Sequence, residues 1–185
     1  MTAKRIISCD IDGILNYYPE CWLDYLAQRC GTRYTTVHEA KNYEPLYKEY
    51  KADYRRSDFK GNLPVRTEGA DLLHALVDRG YSIIFATSRP INNPLYPDLY
   101  NLTRGWLLKN NLPFEVLLFK DSSVEFIDLY PDIEFHIEVE MKYAQAVAEK
   151  GIPVYLYSKH LKTGEYATSG ITLVDNLLTI LDYVG

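Results

Sequence analysis

The chain has 185 residues, 47% hydrophobic and 24% charged, the balance of a soluble globular protein with one ordinary domain and a sizeable core. Its net charge of −5 argues against a long nucleic acid as the main partner, although one positive pocket could still take a small phosphorylated ligand or a phosphorylated nucleic-acid end. No apolar run approaches the roughly 20 residues of a membrane span, and three sparse cysteines without zinc spacing predict reduced thiols in a cytoplasmic compartment.

The first predicted element is "RIISCD", a short β-rich run ending in acid. The few residues before it are basic, but the apolar stretch meets two acids without a small-residue cleavage site, so it predicts a strand and not a signal peptide. Asp10 and Asp12 close this run, with Gly13 next. Two like charges so close, with no cationic neighbour in sequence, belong in a solvated turn or around a divalent cation. The strand before them and the glycine after favour the cation.

Residues 17 to 64 carry helical, tyrosine-rich sequence and no strong strand, which is too much chain for a simple crossover. They predict a helical cap subdomain inserted into a core made of residues 1 to 16 and 65 to 185. Tyr43, Tyr47, Tyr50 and Tyr54 recur at helical spacing and predict one aromatic stripe that packs the cap, with base stacking as the sharper alternative. Lys48, Lys51, Arg55, Arg56 and Lys60 interleave with acids, the pattern of an exposed helix with paired charges; the alternative is a rim that attracts a phosphorylated, aromatic substrate.

From residue 68 strands and helices alternate. "EGADLLHALVDRG" is an amphipathic helix with Gly80 at its end, and "YSIIFATS" a buried strand. "LYNLTRGWLLKNN" is a helix, "FEVLLF" and "IEFHIE" are strands, and "MKYAQAVAEKG" is a helix. "PVYLYS" is a strand, and "GITLVDNLLTILDYV" a closing strand and helix. The pattern predicts an α/β, three-layer, Rossmann-like parallel sheet with helices on both faces. Ligands of such sheets bind at the carboxyl ends of the strands. There the sequence places Asp10, Asp12 and Gly13, then Thr87, Ser88 and Arg89, then Lys120, then Glu138 and Glu140. Acids supply hard oxygen ligands for Mg²⁺, while a hydroxyl and an ammonium suit the oxygens of a phosphate. His38, His74, His136 and His160 show no metal spacing, and His136 reads as a strand residue and not a ligand.

The motif "CDIDGIL", the strand end "IIFATSRP" and the helical insertion after the first strand resemble the haloacid dehalogenase (HAD) superfamily of aspartyl phosphotransferases. "TRGWL" and "EKGIPVYLY" resemble its 5′(3′)-deoxyribonucleotidase-like branch. The resemblance covers nearly the whole chain. It implies Asp10 as nucleophile, forming an aspartyl-phosphate, and Asp12 as general acid and then base. It implies Thr87 as a phosphate hydroxyl, Lys120 as the shielding cation, and Gly13, Ser88 and Arg89 on the substrate side. Mg²⁺ would be held by the Asp10 carboxylate, the Asp12 backbone carbonyl and Glu138.

Two motifs depart from the family pattern. Lys120 stands directly after its strand, where many relatives place the lysine a few residues later, in this chain's "DSSVEF". Val139 stands where a second acid would adjoin Glu138, with Glu140 offset by one. The expected activity is Mg²⁺-dependent hydrolysis of a nucleotide or other small phosphomonoester. The alternative is a weak or inactive relative that binds a phosphorylated ligand or a protein partner.

Overall fold

A computed structural model describes residues 5–120, 124–159 and 169–185. His160 and the first three residues of "DSSVEF" lie outside them. Among the described residues six strands form one parallel sheet: β1 (Arg5–Cys9), β2 (Tyr81–Thr87), β3 (Val116–Phe119), β4 (Ile133–Glu138), β5 (Val154–Tyr157) and β6 (Ile171–Val174). Their order is β3-β2-β1-β4-β5-β6, so the sheet is built outward from β1 in both directions. The strand order reverses beside β1, which is where an open α/β sheet leaves a crevice for a ligand.

Among the described residues eight α-helices accompany the sheet: α1 (Glu20–Cys30), α2 (Val37–Tyr43), α3 (Tyr47–Arg56), α4 (Thr67–Asp78), α5 (Leu99–Lys109), α6 (Phe126–Leu129), α7 (Met141–Ala148) and α8 (Ile180–Tyr183). Because side chains alternate along a strand, β1 divides its residues between the two faces. Ile7 and Cys9 join Leu72, Leu73 and Leu76 of α4, Trp106 and Leu107 of α5, and Ile180 of α8 in one cluster. Ile6 faces the other cluster, built on Phe126 and Ile127 of α6 and Ala144 and Val147 of α7. β2 is buried along nearly its whole length, as a central parallel strand covered on both faces must be.

The helices α1, α2 and α3 and a 3-10 turn (Phe59–Asn62) lie between β1 and α4 and form their own cluster around Trp22, Tyr25, Leu26, Tyr47 and Tyr54. Tyr54 meets Trp22 edge-on at 5.1 Å between ring centroids, and Tyr25 at 5.3 Å. The tyrosine stripe is broken, however. Pro45 separates α2 from α3, since a proline cannot continue a helix and its predecessor avoids helical backbone. Tyr43 is left 73% exposed, while Tyr47 and Tyr54 are buried. The segment leaves and rejoins the core at one place: Asn16 and Val65 form an isolated antiparallel bridge, and the Arg66 N–H donates to the Leu15 carbonyl at 2.8 Å.

Candidate active site

The ends of β1, β2 and β4 open, beneath α3 and the 3-10 turn, on a cavity of about 720 Å³. Asp10, Asp12, Gly13, Ser88 and Arg89 line it; Thr87, Lys120 and Glu138 stand behind its wall, all buried.

Asp10 is 4% exposed and anchored by its backbone, whose N–H donates to the Ile137 carbonyl of β4 at 3.0 Å. Its Oδ1 is buried without a partner among the described residues. Burial, and then the negative charge of Glu138, raise the Asp10 carboxyl above the ordinary carboxylate range. Glu138 shows the opposite balance. Burial disfavours its charge too, but hydrogen bonding to His136 and the Lys120 ammonium hold it low. Its Oε2 accepts from Lys120 Nζ at 2.8 Å and lies 3.2 Å from His136 Nε2, while its Oε1 accepts from the N–H groups of Val139 and Glu140. The His136 ring continues to Ser8 Oγ at 2.8 Å. A buried polar chain thus runs Ser8, His136, Glu138, Lys120.

Asp12 points elsewhere. Its carboxylate receives the Arg89 guanidinium through Nη2 at 2.6 Å and Nε at 3.1 Å, the Lys60 ammonium at 2.8 Å and the Asn16 amide at 2.8 Å. Burial works against its charge, but Arg89 and Lys60 outweigh burial and hold the group well below the usual carboxylate range. Arg89, itself 2% exposed, is completed by Thr103 Oγ1 at 3.0 Å. The residue expected on the substrate side is therefore committed to Asp12.

Gly13 has φ of +91°, a left-handed backbone that a side chain resists, and a Cβ there would sit 3.1 Å from Val139. Val139 fills with methyl groups the place where a second acid was sought. Glu140 stands at the N-terminus of α7, its carboxylate 3.5 Å from Lys142. Thr87 ends β2, and its hydroxyl accepts from the Arg89 N–H at 3.4 Å. Lys120 follows β3 directly, and its N–H donates to the Thr87 carbonyl at 2.8 Å.

Sequence reasoning left four residues of this site without their role, Lys60 entering it only within the exposed-helix or substrate-rim readings and His136 only as a strand residue. Lys60 looked like one charge among many on a solvated helix, and nothing local marks it as Asp12's partner. Asn16, Thr103 and His136 are equally unmarked, being polar residues in otherwise apolar stretches; only the spacing of Asn16 four residues after Asp12 hinted at contact.

No family model and no curated relative matches the sequence. Solved structures do. A Thermotoga maritima protein provisionally named a β-phosphoglucomutase superposes with a TM-score of 0.66 at 18% identity, over 98% of this chain and 100% of its own. A haloacid dehalogenase-like hydrolase from Streptococcus pneumoniae gives 0.66 at 12% identity, covering 100% of both chains. The D,D-heptose 1,7-bisphosphate phosphatase of B. bronchiseptica, solved with magnesium and phosphate, gives 0.60 at 12% identity, over 97% of each chain. The sheet and its helices thus have the HAD-like fold, as the first motifs led one to expect.

The donor set can be tested against a divalent cation directly. An orphaned carboxylate oxygen at Asp10, beside a second buried carboxylate, is an arrangement that a cation relieves. Among the described residues no three acids, histidines or cysteines converge on one point. The Asp12 side chain is turned away, and both oxygens of Glu138 are already engaged. Asp10 and a backbone oxygen beside it could hold such an ion, and Glu138, engaged at both oxygens, could meet it only through water.

Proposed function

We propose that the chain is a Mg²⁺-dependent phosphomonoester hydrolase with Asp10 as its nucleophile. The observation that carries this reading is the Asp10 Oδ1 atom, buried at the strand-end crevice and without a partner among the described residues. A desolvated oxygen held ready for an electrophile is what covalent phosphoryl transfer needs. Asp10 attacks phosphorus as the carboxylate, the state a divalent cation beside it favours, and the bond to the alcohol oxygen breaks. The alcohol leaves with a proton from Asp12, which can hold one only after substrate has drawn Lys60 or Arg89 from its carboxylate. Water then attacks the aspartyl-phosphate while Asp12 takes its proton. When bound, Mg²⁺ held by the Asp10 carboxylate, the Asp12 carbonyl and, through water, Glu138 supplies positive charge to the phosphoryl oxygens.

Thr87, Ser88 and the backbone at Gly13 surround the phosphoryl group in this reading. Lys120 offsets negative charge through Glu138 and by proximity to Asp10. Arg89 becomes a positioning residue for Asp12. Residues 17–64 act as a cap that roofs the crevice and selects the substrate. The names of two structural neighbours concern phosphorylated sugars, whereas the sequence resembles a nucleotidase-like branch; a small phosphomonoester is what the two share.

Inorganic phosphate released from a panel of sugar phosphates and nucleoside monophosphates tests the proposal. Release should disappear in Asp10→Asn and on chelation of Mg²⁺. The second reading, a fold that binds its ligand without turnover, is favoured by one observation: Asp12 is tied by two cations and an amide. Ligand binding without phosphate release at saturating Mg²⁺ would select it.

A further inference from the structure

Proteins leave few buried polar atoms without a partner, so a concentration of exceptions calls for a reason. Among the described residues six side-chain atoms are in that state: Asp10 Oδ1, Trp22 Nε1, Lys51 Nζ, Tyr54 Oη, Arg55 Nε and Arg66 Nε. Four of the six residues line the same cavity, and three of those four are cations. Six basic and four acidic residues line that cavity, in a protein whose net charge is −5.

Lys51 and Arg55 are one turn apart on α3, hence on one face of the helix. Lys51 Nζ lies 3.9 Å from the Trp22 ring centroid, 4.9 Å from that of Tyr54 and 5.3 Å from that of Tyr18. Aromatic faces moderate a buried ammonium but do not replace a counter-ion. Asp12 cannot serve, because Arg89 and Lys60 already hold it. Among the described residues neither Lys51 nor Arg55 forms an ion pair with a carboxylate. Burial, with Lys60 and Arg55 nearby, pushes the Lys51 ammonium down to about 7, a shift that an anion beside it would reverse.

We propose that Lys51 and Arg55 form a second anion subsite in the roof of the cavity, so that the natural substrate carries a phosphate or carboxylate in addition to the phosphoryl group presented to Asp10. This rests on the hydrolase reading for the identity of the first group, and it adds the class of substrate: a doubly anionic phosphomonoester. A phosphomonoester without a second anionic group would occupy the reacting end and leave the two cations uncompensated.

The test uses the full chain carrying Asp10→Asn, so that binding is read without turnover, and titration calorimetry with matched probes. The pairs are fructose 6-phosphate with fructose 1,6-bisphosphate, glycerol 3-phosphate with 3-phosphoglycerate, and adenosine 5′-monophosphate with adenosine 3′,5′-bisphosphate. In at least one pair the doubly anionic member should bind about tenfold tighter or more, the usual size of a charge-assisted contact. Lys51→Met and Arg55→Met should each erode that ratio, and Lys51→Arg should keep most of it. Should Lys51→Met fail to fold, Arg55→Gln on the same face of α3 gives the same reading. Equal binding within every pair, or a ratio that survives both substitutions, would overturn the subsite. Failure of the hydrolase reading looks different: doubly anionic probes bind preferentially, yet the wild-type chain releases no phosphate.

Discussion

At the scale of single residues, Asp10 and Asp12 show how two identical side chains acquire different characters within one turn. Asp10 faces a buried carboxylate and an unfilled hydrogen-bonding position, whereas Asp12 is enclosed by donors. Asp10→Asn removes the like charge beside Glu138, so the metal-free variant should melt at a higher temperature than the wild type even as phosphate release is lost. Mg²⁺ should then raise the melting temperature of the wild type more than that of the variant, because an ion stabilises only the state that binds it. Lys60→Met, which strips one of Asp12's two cations, should lower stability by about 2 kcal/mol in urea unfolding, since Arg89 still compensates part of the charge. The aspartate pair was legible because its spacing and the strand before it are local. Lys60 lies 48 residues from Asp12 and was not, because a contact across that separation leaves no mark in its own neighbourhood.

Lys51 yields a prediction with a definite sign. Its ammonium is pushed from 10.5 in the reference state to about 7 in the folded chain, so between those values the unfolded state binds the extra proton. Stability therefore rises with pH across that window. The penalty is fully present below about 7 and is relieved as pH climbs toward 10.5. Lys51→Met should outstrip the wild type most at pH 6 and progressively less toward pH 9, as measured by denaturant midpoints at each pH.

At the scale of elements, the six strands were readable because apolar runs bounded by helices of regular length admit few alternatives. The helical segment was less so. Spacing alone joined Tyr43 to Tyr54 in one helix, and the backbone effect of Pro45 divided them. Tyr54 remains the centre of that cluster, packed against Trp22, Tyr25 and Phe59. Tyr54→Ala should cost about 3 kcal/mol, the range for emptying an aromatic core site, visible as a lower urea midpoint followed by Trp fluorescence. Gly69, in the first turn of α4, meets the Ile14 carbonyl so closely that a Cβ there would overlap it. Gly69→Ala should force α4 from the chain that leads out of β1, lowering stability by about 2 kcal/mol, the usual penalty of overpacking.

At the scale of the whole molecule, the fold puts conserved geometry and particular chemistry in different hands. The parallel sheet delivers the strand ends to one crevice wherever the side chains between them come from, which explains how structures 12 to 18% identical to this chain share its architecture. The charges around the crevice belong to this sequence. Around that crevice this chain sets Val139 against Gly13, Lys120 on Glu138, and cations on α3.

The bridge between Asn16 and Val65 has a consequence for movement. Both ends of the helical segment pass through that short ladder, so any swing of the segment must turn about it as about a pivot pin. Lys60 travels with the moving side, while Arg89 is fastened to the stationary side through Thr103. Asp12 holds on to both. Were the segment to swing, one of the two grips would have to let go, leaving the Asp12 carboxylate with a single cation.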